Sequence, residues 1–249
     1  MTALVPWPYP RWIAHRGAGT LAPENTLAAF RVGAAHGYRA FECDVKLSAD
    51  GVLFLMHDTA LERTTNGHGV GGELPWSALS QLDAGSWHGH RFAGEPLPTL
   101  AAVARWIRAN GFMLDLEIKP TPGLEEATGR AVALAVRELW AGAAVPPLLT
   151  SFRPESLKAA REAAPELPRG LLLDTFWEGW EAIEPLLDCA AVITNHALMD
   201  AAFIARLHAQ GRRALVYTVN EAEEARRLLD LGIDGIITDA IDRFAPAAE

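Results

Sequence analysis

The chain has 249 residues, 50% of them apolar, and carries 31 acidic against 22 basic side chains, a formal net charge of −9. That length suits one large α/β barrel or two small domains, and an acidic chain with no basic run and no Arg or Lys interleaved with aromatics argues against a nucleic-acid surface. No apolar run reaches the roughly 18 residues of a membrane span, so stable membrane anchoring is not expected.

The opening MTALVPWPYPRW has no basic start and no long apolar stretch, and its three prolines argue against a secretory leader. Strand-like runs follow at residues 11–15, 41–47, 52–57, 113–118, 148–151, 170–173, 191–194, 214–217 and 235–238. Helical segments are expected at 24–35, 100–110, 124–140, 154–163, 177–187, 201–210 and 221–231. Asn220 is a preferred N-cap for the last helix and Gly232 ends it; its EEARR run reads as a solvated face. The tail FAPAAE reads as frayed. Cys43 and Cys189 match no metal or redox spacing and read as reduced core residues of a cytoplasmic protein.

Strand–helix alternation implies a parallel sheet with helical crossovers. Nine strands exceed a barrel's eight positions, and only SADG separates the second from the third. A parallel crossover needs about a dozen residues, so these two form an antiparallel hairpin. The fold class is therefore α/β, a TIM (β/α)8 barrel filling residues 1–249. A turn centred between Ala49 and Asp50 would pair residues whose numbers sum to about 99, setting His57 opposite Glu42. Residues 59–98, rich in Gly, Thr and His, are expected to form a small inserted subdomain over one mouth.

Glu42 and Asp44 share one face of a strand, as do Asp115, Glu117 and Lys119 of the next. Carboxylates crowded at a barrel mouth repel and require a cation, and the hard oxygens of Glu42, Asp44 and Glu117 suit Mg²⁺ or Ca²⁺. His15 ends the first strand, where barrel enzymes keep reactive groups, and the hairpin returns His57 to that level. Two histidines beside a metal can act as general acid and base. Arg16 offers a planar fork for phosphate, Gly17 and Gly19 would let backbone approach a ligand, and Pro23-Glu24-Asn25 would open a helix whose N-terminus favours an anion.

The motifs HRG…PENTLAAF, FECDVKLSADGVLFLMHD, LERTTNGHG, LDAGSW, LPTL, LDLEIKP and GIDGIITD, in this order, resemble the glycerophosphodiester phosphodiesterases across nearly the whole chain. The resemblance implies a TIM barrel with an inserted subdomain. It implies metal-dependent hydrolysis of small soluble diesters, such as glycerophosphocholine or glycerophosphoethanolamine, to sn-glycerol 3-phosphate and an alcohol. It makes His15 and His57 the acid–base pair, Glu42, Asp44 and Glu117 the holders of one divalent cation, and Arg16 and Lys119 the phosphate ligands. The resemblance fixes neither which histidine is the acid, nor whether water or the glycerol 2-hydroxyl attacks, nor whether the protein is a monomer or a homodimer. Tyr217 stands where the family commonly has Trp, keeping an aromatic wall with a polar tip for substrate binding. His88 stands where Phe is common; with His68 and His90 it reads as a polar surface residue rather than a second metal site. His36, His196 and His208 read as structural or exposed, and Trp87 and Trp177 are candidates to line the pocket. The alternatives are a lysophospholipase D-type phosphodiesterase on the same scaffold and a non-catalytic phosphate-binding barrel.

Overall fold

The computed structural model describes residues 7–244 and Pro246; the opening six residues and most of the tail expected to fray lie outside the described residues. In chain order the elements are β1 Trp12–Ala14, α1 Leu27–Ala35, β2 Ala40–Leu47, β3 Leu53–Leu55, α2 Trp76–Leu79, α3 Leu100–Ala109, β4 Met113–Ile118, α4 Glu125–Leu139, β5 Leu148–Ser151, α5 Pro154–Ala163, β6 Arg169–Leu173, α6 Trp180–Leu187, β7 Ala191–Asn195, α7 Ala201–Ala209, β8 Arg213–Tyr217, α8 Ala222–Asp230 and β9 Gly235–Thr238. Eight strands pair in parallel around a closed ring, from β1 through β9, β8, β7, β6, β5 and β4 to β2, which pairs again with β1. The fold is a TIM barrel. β2 runs past the ring and pairs antiparallel with β3.

The period of two explains which side chains reach the site. On β2 and β4 the apolar residues Phe41, Cys43, Val45, Leu114, Leu116 and Ile118 turn outward, all 1% exposed or less, into the layer covered by α1, α3 and α4. The alternate residues Glu42, Asp44, Asp115 and Glu117 therefore turn into the barrel. Phe41 touches Phe30, Trp106 and Phe112 with ring centroids 5.5, 6.0 and 5.4 Å away, which fixes β2 against its helices. The lower interior is apolar: Ile13, Ala40, Leu148, Leu172, Ile193, Leu215 and Ile237 pack as one cluster with Tyr9 and Trp7.

Three local expectations differ from the structure. The hairpin pairs Val45 with Leu55 and Lys46 with Phe54, so paired numbers sum to 100, one residue from the expected register. The ladder ends with Met56 N donating to Asp44 O, and His57 reaches the barrel mouth from beyond the strand rather than opposite Glu42. The first helix begins at Leu27, three residues later than expected, because Thr26 caps it by accepting from Ala29 N. Asn220 does not cap the last helix; Glu221 holds the cap position, and the Asn220 side chain turns to Asp239.

From β3 to the start of α3, Phe54, Met56, Leu61, Leu79, Ala84 and Leu97 form a small apolar core of their own. Asp83 organises the loop over it, accepting from the backbone N–H of Gly85, Ser86 and Gly94. His68 is highly exposed and His88 bonds to Thr20 O.

Candidate active site

The parallel register sets Glu42 beside Asp115 and Asp44 beside Glu117. One oxygen each of Glu42, Asp44 and Glu117 lies within 4.8 Å of the others; among the described residues this is the one such cluster of potential metal ligands. Burial, then repulsion from Asp44, raises the Glu117 carboxyl to about 7, and burial with Asp44 and Glu117 holds Glu42 well above the usual carboxylate range. Burial would also raise Asp44, but Lys119, Arg16 and His57 outweigh it and hold that carboxyl low. Lys119 Nζ lies 2.8 Å from Glu117 and 3.3 Å from Asp44. Asn25, at φ 60°, clamps Asp44 twice, donating to Oδ2 at 2.8 Å and accepting from its backbone N–H at 3.0 Å. Below them Asp115 accepts from Thr150 Oγ1 at 2.7 Å while its buried Oδ2 has no partner. Crowded, dehydrated, all-oxygen donors fit a hard divalent cation, which would remove the mutual repulsion.

His15 follows β1, and its Nδ1 lies 2.6 Å from Asp239 Oδ1 at the end of the neighbouring β9. Its Nε2 stands 3.8 Å from Glu42. Asn220 fixes that aspartate, accepting from Asp239 N and donating to Asp239 Oδ2. A Cβ on Gly19 would fall 2.0 Å from the Asp239 carbonyl oxygen, so this glycine permits the loop to lie on Asp239. Gly17 likewise packs on Ala29 and Phe30, where a Cβ would fall 2.9 Å from Ala29 Cβ.

Arg16 takes the left-handed region at φ 50°, a conformation costing about 1–3 kcal/mol that its bonds hold in place. Its backbone N–H donates to Glu42, Nη1 donates to Glu24 at 2.8 Å, and Nε lies 3.7 Å from Asp44. The expected anion site at the α1 N-terminus is already filled: Ala28 N donates to the Glu95 carboxylate.

His57 Nδ1 lies 2.7 Å from Asp58 Oδ1, leaving Nε2 for the cavity. Burial lowers the His57 pKa, and Lys119 and Arg16 add to that against Asp44 and Asp58. Arg63 bonds Asp58 through Nε and Nη2 and Glu24 through Nη1 and Nη2, so one arginine ties the aspartate behind His57 to the carboxylate that holds Arg16. Bonding to Arg63 and His57 keeps the Asp58 carboxyl ionised well below its usual range.

A cavity of ≈ 150 Å³ brings together His15, Arg16, Glu42, His57, Glu117, Lys119 and Tyr217, with Asp115, Thr150, Phe152, Leu172, Thr218 and Ile237; Asp44, 1% exposed, lies just behind them. Tyr217 packs edge-on against Phe152 at 5.7 Å and donates to Asp174. Phe152 provides the second aromatic wall; neither Trp87, which is exposed and bonds Ala84 O, nor Trp177 lines the cavity. Sequence reading missed Asp239, Asp58, Arg63, Asn25 and Asn220. Asp239 was findable, since an acid directly after the last barrel strand obeys the rule that singled out His15. The clamps Asn25 and Asn220 carry no sequence signal distinct from ordinary caps.

Residues 15–243 match the glycerophosphoryl diester phosphodiesterase family. A glycerophosphodiester phosphodiesterase of Caldanaerobacter subterraneus subsp. tengcongensis is 33% identical over 232 residues, covering 91% of this chain and 93% of that protein. The structure of an Oleispira antarctica phosphodiesterase with the product sn-glycerol-3-phosphate superposes with a TM-score of 0.87 at 35% identity, covering 94% and 95% of the two chains. A glycerophosphodiester phosphodiesterase from Agrobacterium tumefaciens superposes with a TM-score of 0.78 at 30% identity over 95% and 99%. The chain belongs to the glycerophosphoryl diester phosphodiesterase family and is an enzyme of that activity.

Proposed function

We propose that the enzyme hydrolyses water-soluble glycerophosphodiesters to sn-glycerol 3-phosphate and an alcohol, using His15 and His57 as a general acid–base pair around one divalent cation. The observation that carries this is the convergence of two aspartate-oriented histidines on one cavity with the buried carboxylates Glu42 and Glu117, Asp44 lying directly behind them. The likeness to a phosphodiesterase holding sn-glycerol-3-phosphate supports the product.

Glu42, Asp44 and Glu117 would hold Mg²⁺ or Ca²⁺. A bound cation supplies Lewis-acid stabilisation of charge growing on the phosphoryl oxygens. Arg16 and Lys119 place fixed positive charge at the same locus, where dehydration strengthens it. Asp239 and Asp58 each hold a histidine by Nδ1, which turns Nε2 toward the cavity and sets the tautomer. One Nε2 then removes the proton of the attacking oxygen, and the other protonates the alkoxide as its bond to phosphorus breaks; the attacker is water directly, or the glycerol 2-hydroxyl followed by water that opens the resulting cyclic phosphate. Tyr217 and Phe152 wall the glycerol end. Among the described residues no helix is long and apolar enough to cross a membrane, and Cys43 and Cys189 are free and buried, which suits a reducing cytoplasm.

The test is release of glycerol 3-phosphate from glycerophosphoethanolamine with Mg²⁺, with Ca²⁺ and with EDTA. The expected outcome is release with one or both metals, none with EDTA, and near-abolition in His15→Ala and His57→Ala. Full activity in EDTA would overturn the metal role. Faster turnover of a lysophospholipid would redirect the reading to a lysophospholipase D.

A further inference from the structure

A phosphodiester has two arms, and the structure has two clefts that meet at the reacting groups. The second, of ≈ 280 Å³, is lined by Lys46, His57, Thr59, Glu117, Ile118, Lys119, Pro120, Pro122, Ser151, Phe152 and Arg153. It shares His57, Glu117, Lys119 and Phe152 with the first cavity. The first cavity is floored by Asp115, Thr150 and Leu172 and walled by Tyr217. A diester with its phosphate at Lys119 would send the glycerol arm into that cavity and the other alcohol into the second cleft.

The second cleft has an unusual charge. Its lining holds three cations, Lys46, Lys119 and Arg153, against one carboxylate, Glu117. Lys46 is 1% exposed, and its ammonium bonds only the backbone carbonyl of Lys119 at 3.3 Å. Among the described residues no carboxylate lies within ion-pairing distance of Lys46, although a buried ammonium normally has one. The nearest acids are committed: Asp44 and Glu117 pair with Lys119, and Asp58 with His57 and Arg63. Arg153 is exposed at the mouth, and among the described residues its guanidinium likewise makes no hydrogen bond or ion pair. The cleft also lacks what a quaternary ammonium needs, since Phe152 is its one aromatic ring and no free carboxylate faces it.

We infer that the second cleft is the leaving-alcohol subsite and selects glycerophosphodiesters whose alcohol carries its own anionic group, a carboxylate or a phosphate, over those ending in choline. Lys46 would supply an ammonium donor deep in the cleft, and Arg153 a planar fork at its mouth. The inference rests on the phosphodiesterase reading above and names the substrate class for that site.

Glycerophosphoserine and glycerophosphoethanolamine make a matched pair, differing by one carboxylate. The experiment measures kcat/KM for both, and for glycerophosphocholine, with wild type, Arg153→Gln, Arg153→Glu and Lys46→Met. The expected wild-type order is serine, then ethanolamine, then choline. Arg153→Gln should lower the serine-to-ethanolamine ratio about three- to fivefold, the scale of one partly exposed charge pair, and Arg153→Glu should invert it. Lys46→Met, checked for an unchanged melting curve, should lower the same ratio by a larger factor. If Lys46→Met fails to fold, the Arg153 pair alone decides. Wild-type preference for the choline ester, or a ratio that does not respond to Arg153→Glu, would overturn the subsite while leaving the phosphodiesterase reading intact. Absence of glycerol 3-phosphate from all three diesters would overturn that reading instead.

Discussion

The two histidines face one cavity but are held by different kinds of structure. His15 and Asp239 follow β1 and β9, which pair through Ala14 and Thr238, so the backbone ladder itself brings the dyad together. Asn220 and the close-lying Gly19 then fix the aspartate. His57 and Asp58 lie beyond the end of β3, where Met56 N donating to Asp44 O is the last backbone bond before them, and the side-chain tie of Asp58 to the barrel is ionic, through Arg63 to Glu24. The Arg63 side chain is 44% exposed, against 12% for Glu24. The aspartate of one dyad is thus held by a neutral amide within the fold, that of the other by an arginine that water and salt can reach. Identical local chemistry does not imply equal robustness.

The largest expected effect would break the comparison at its root. His15→Ala and His57→Ala should each lower kcat by about 10²–10⁴-fold. The double variant should fall little further than the worse single one, because an acid and a base that act in one step are not additive. Steady-state kinetics on glycerophosphoethanolamine measures this. A histidine whose loss costs less than tenfold is not one of the pair.

The aspartates sharpen the contrast. Asp239→Asn and Asp58→Asn should each cost about 10–100-fold by releasing the ring orientation of their histidine. Arg63→Ala, one step further out, should cost only a fewfold, since partly exposed pairs contribute about 0–1 kcal/mol. The asymmetry appears on adding salt. Raising ionic strength from about 0.05 to 0.5 M should weaken the Arg63 links and lower wild-type kcat modestly, and Arg63→Ala should lose that sensitivity. Asn220→Ala should keep it. Equal salt responses in Arg63→Ala and Asn220→Ala would show that the two histidines are supported alike.

Much of this site was legible in the sequence because period-two strands dictate which side chains turn inward. Once two neighbouring strands carry E-x-D and D-x-E, the carboxylate layer follows from pleat and parallel register. The supports were not legible, because they depend on where elements stop. Pro23-Glu24-Asn25 reads as a helix start, yet Thr26 takes the cap, which frees Asn25 for Asp44 and Glu24 for two arginines. Asn220 reads as a cap for the same reason: one amide serves as a helix cap or as a clamp across β8 and β9, and only tertiary packing decides. The hairpin register slipped by one residue because turn geometry, not pattern, sets it.

Between the two dyads lies the carboxylate layer, and the last and smallest expected effect is on its stability. Asp115 and Glu117 are raised from 3.8 and 4.5 to about 7, chiefly by burial, and Glu42 is raised as well. A carboxyl with a raised folded pKa binds more protons folded than unfolded. Its contribution is therefore complete below about pH 4 and lost as pH climbs toward about 7. His57, lowered from 6.5, works in the opposite sense, but as one group against three. Metal-free enzyme should thus melt several degrees lower at pH 7.5 than at pH 5, at about 2–4 °C per kcal/mol for a chain of this size. A divalent cation competes with these protons, so saturating Mg²⁺ or Ca²⁺ should raise the melting temperature more at pH 7.5 than at pH 5 and flatten the profile. Glu117→Gln removes one raised carboxyl and one candidate ligand together, so it should reduce both the pH slope and the metal shift. A metal-free melting temperature that rises between pH 5 and 7.5, or a metal shift equal at both, would mean that these carboxylates neither repel nor share a cation.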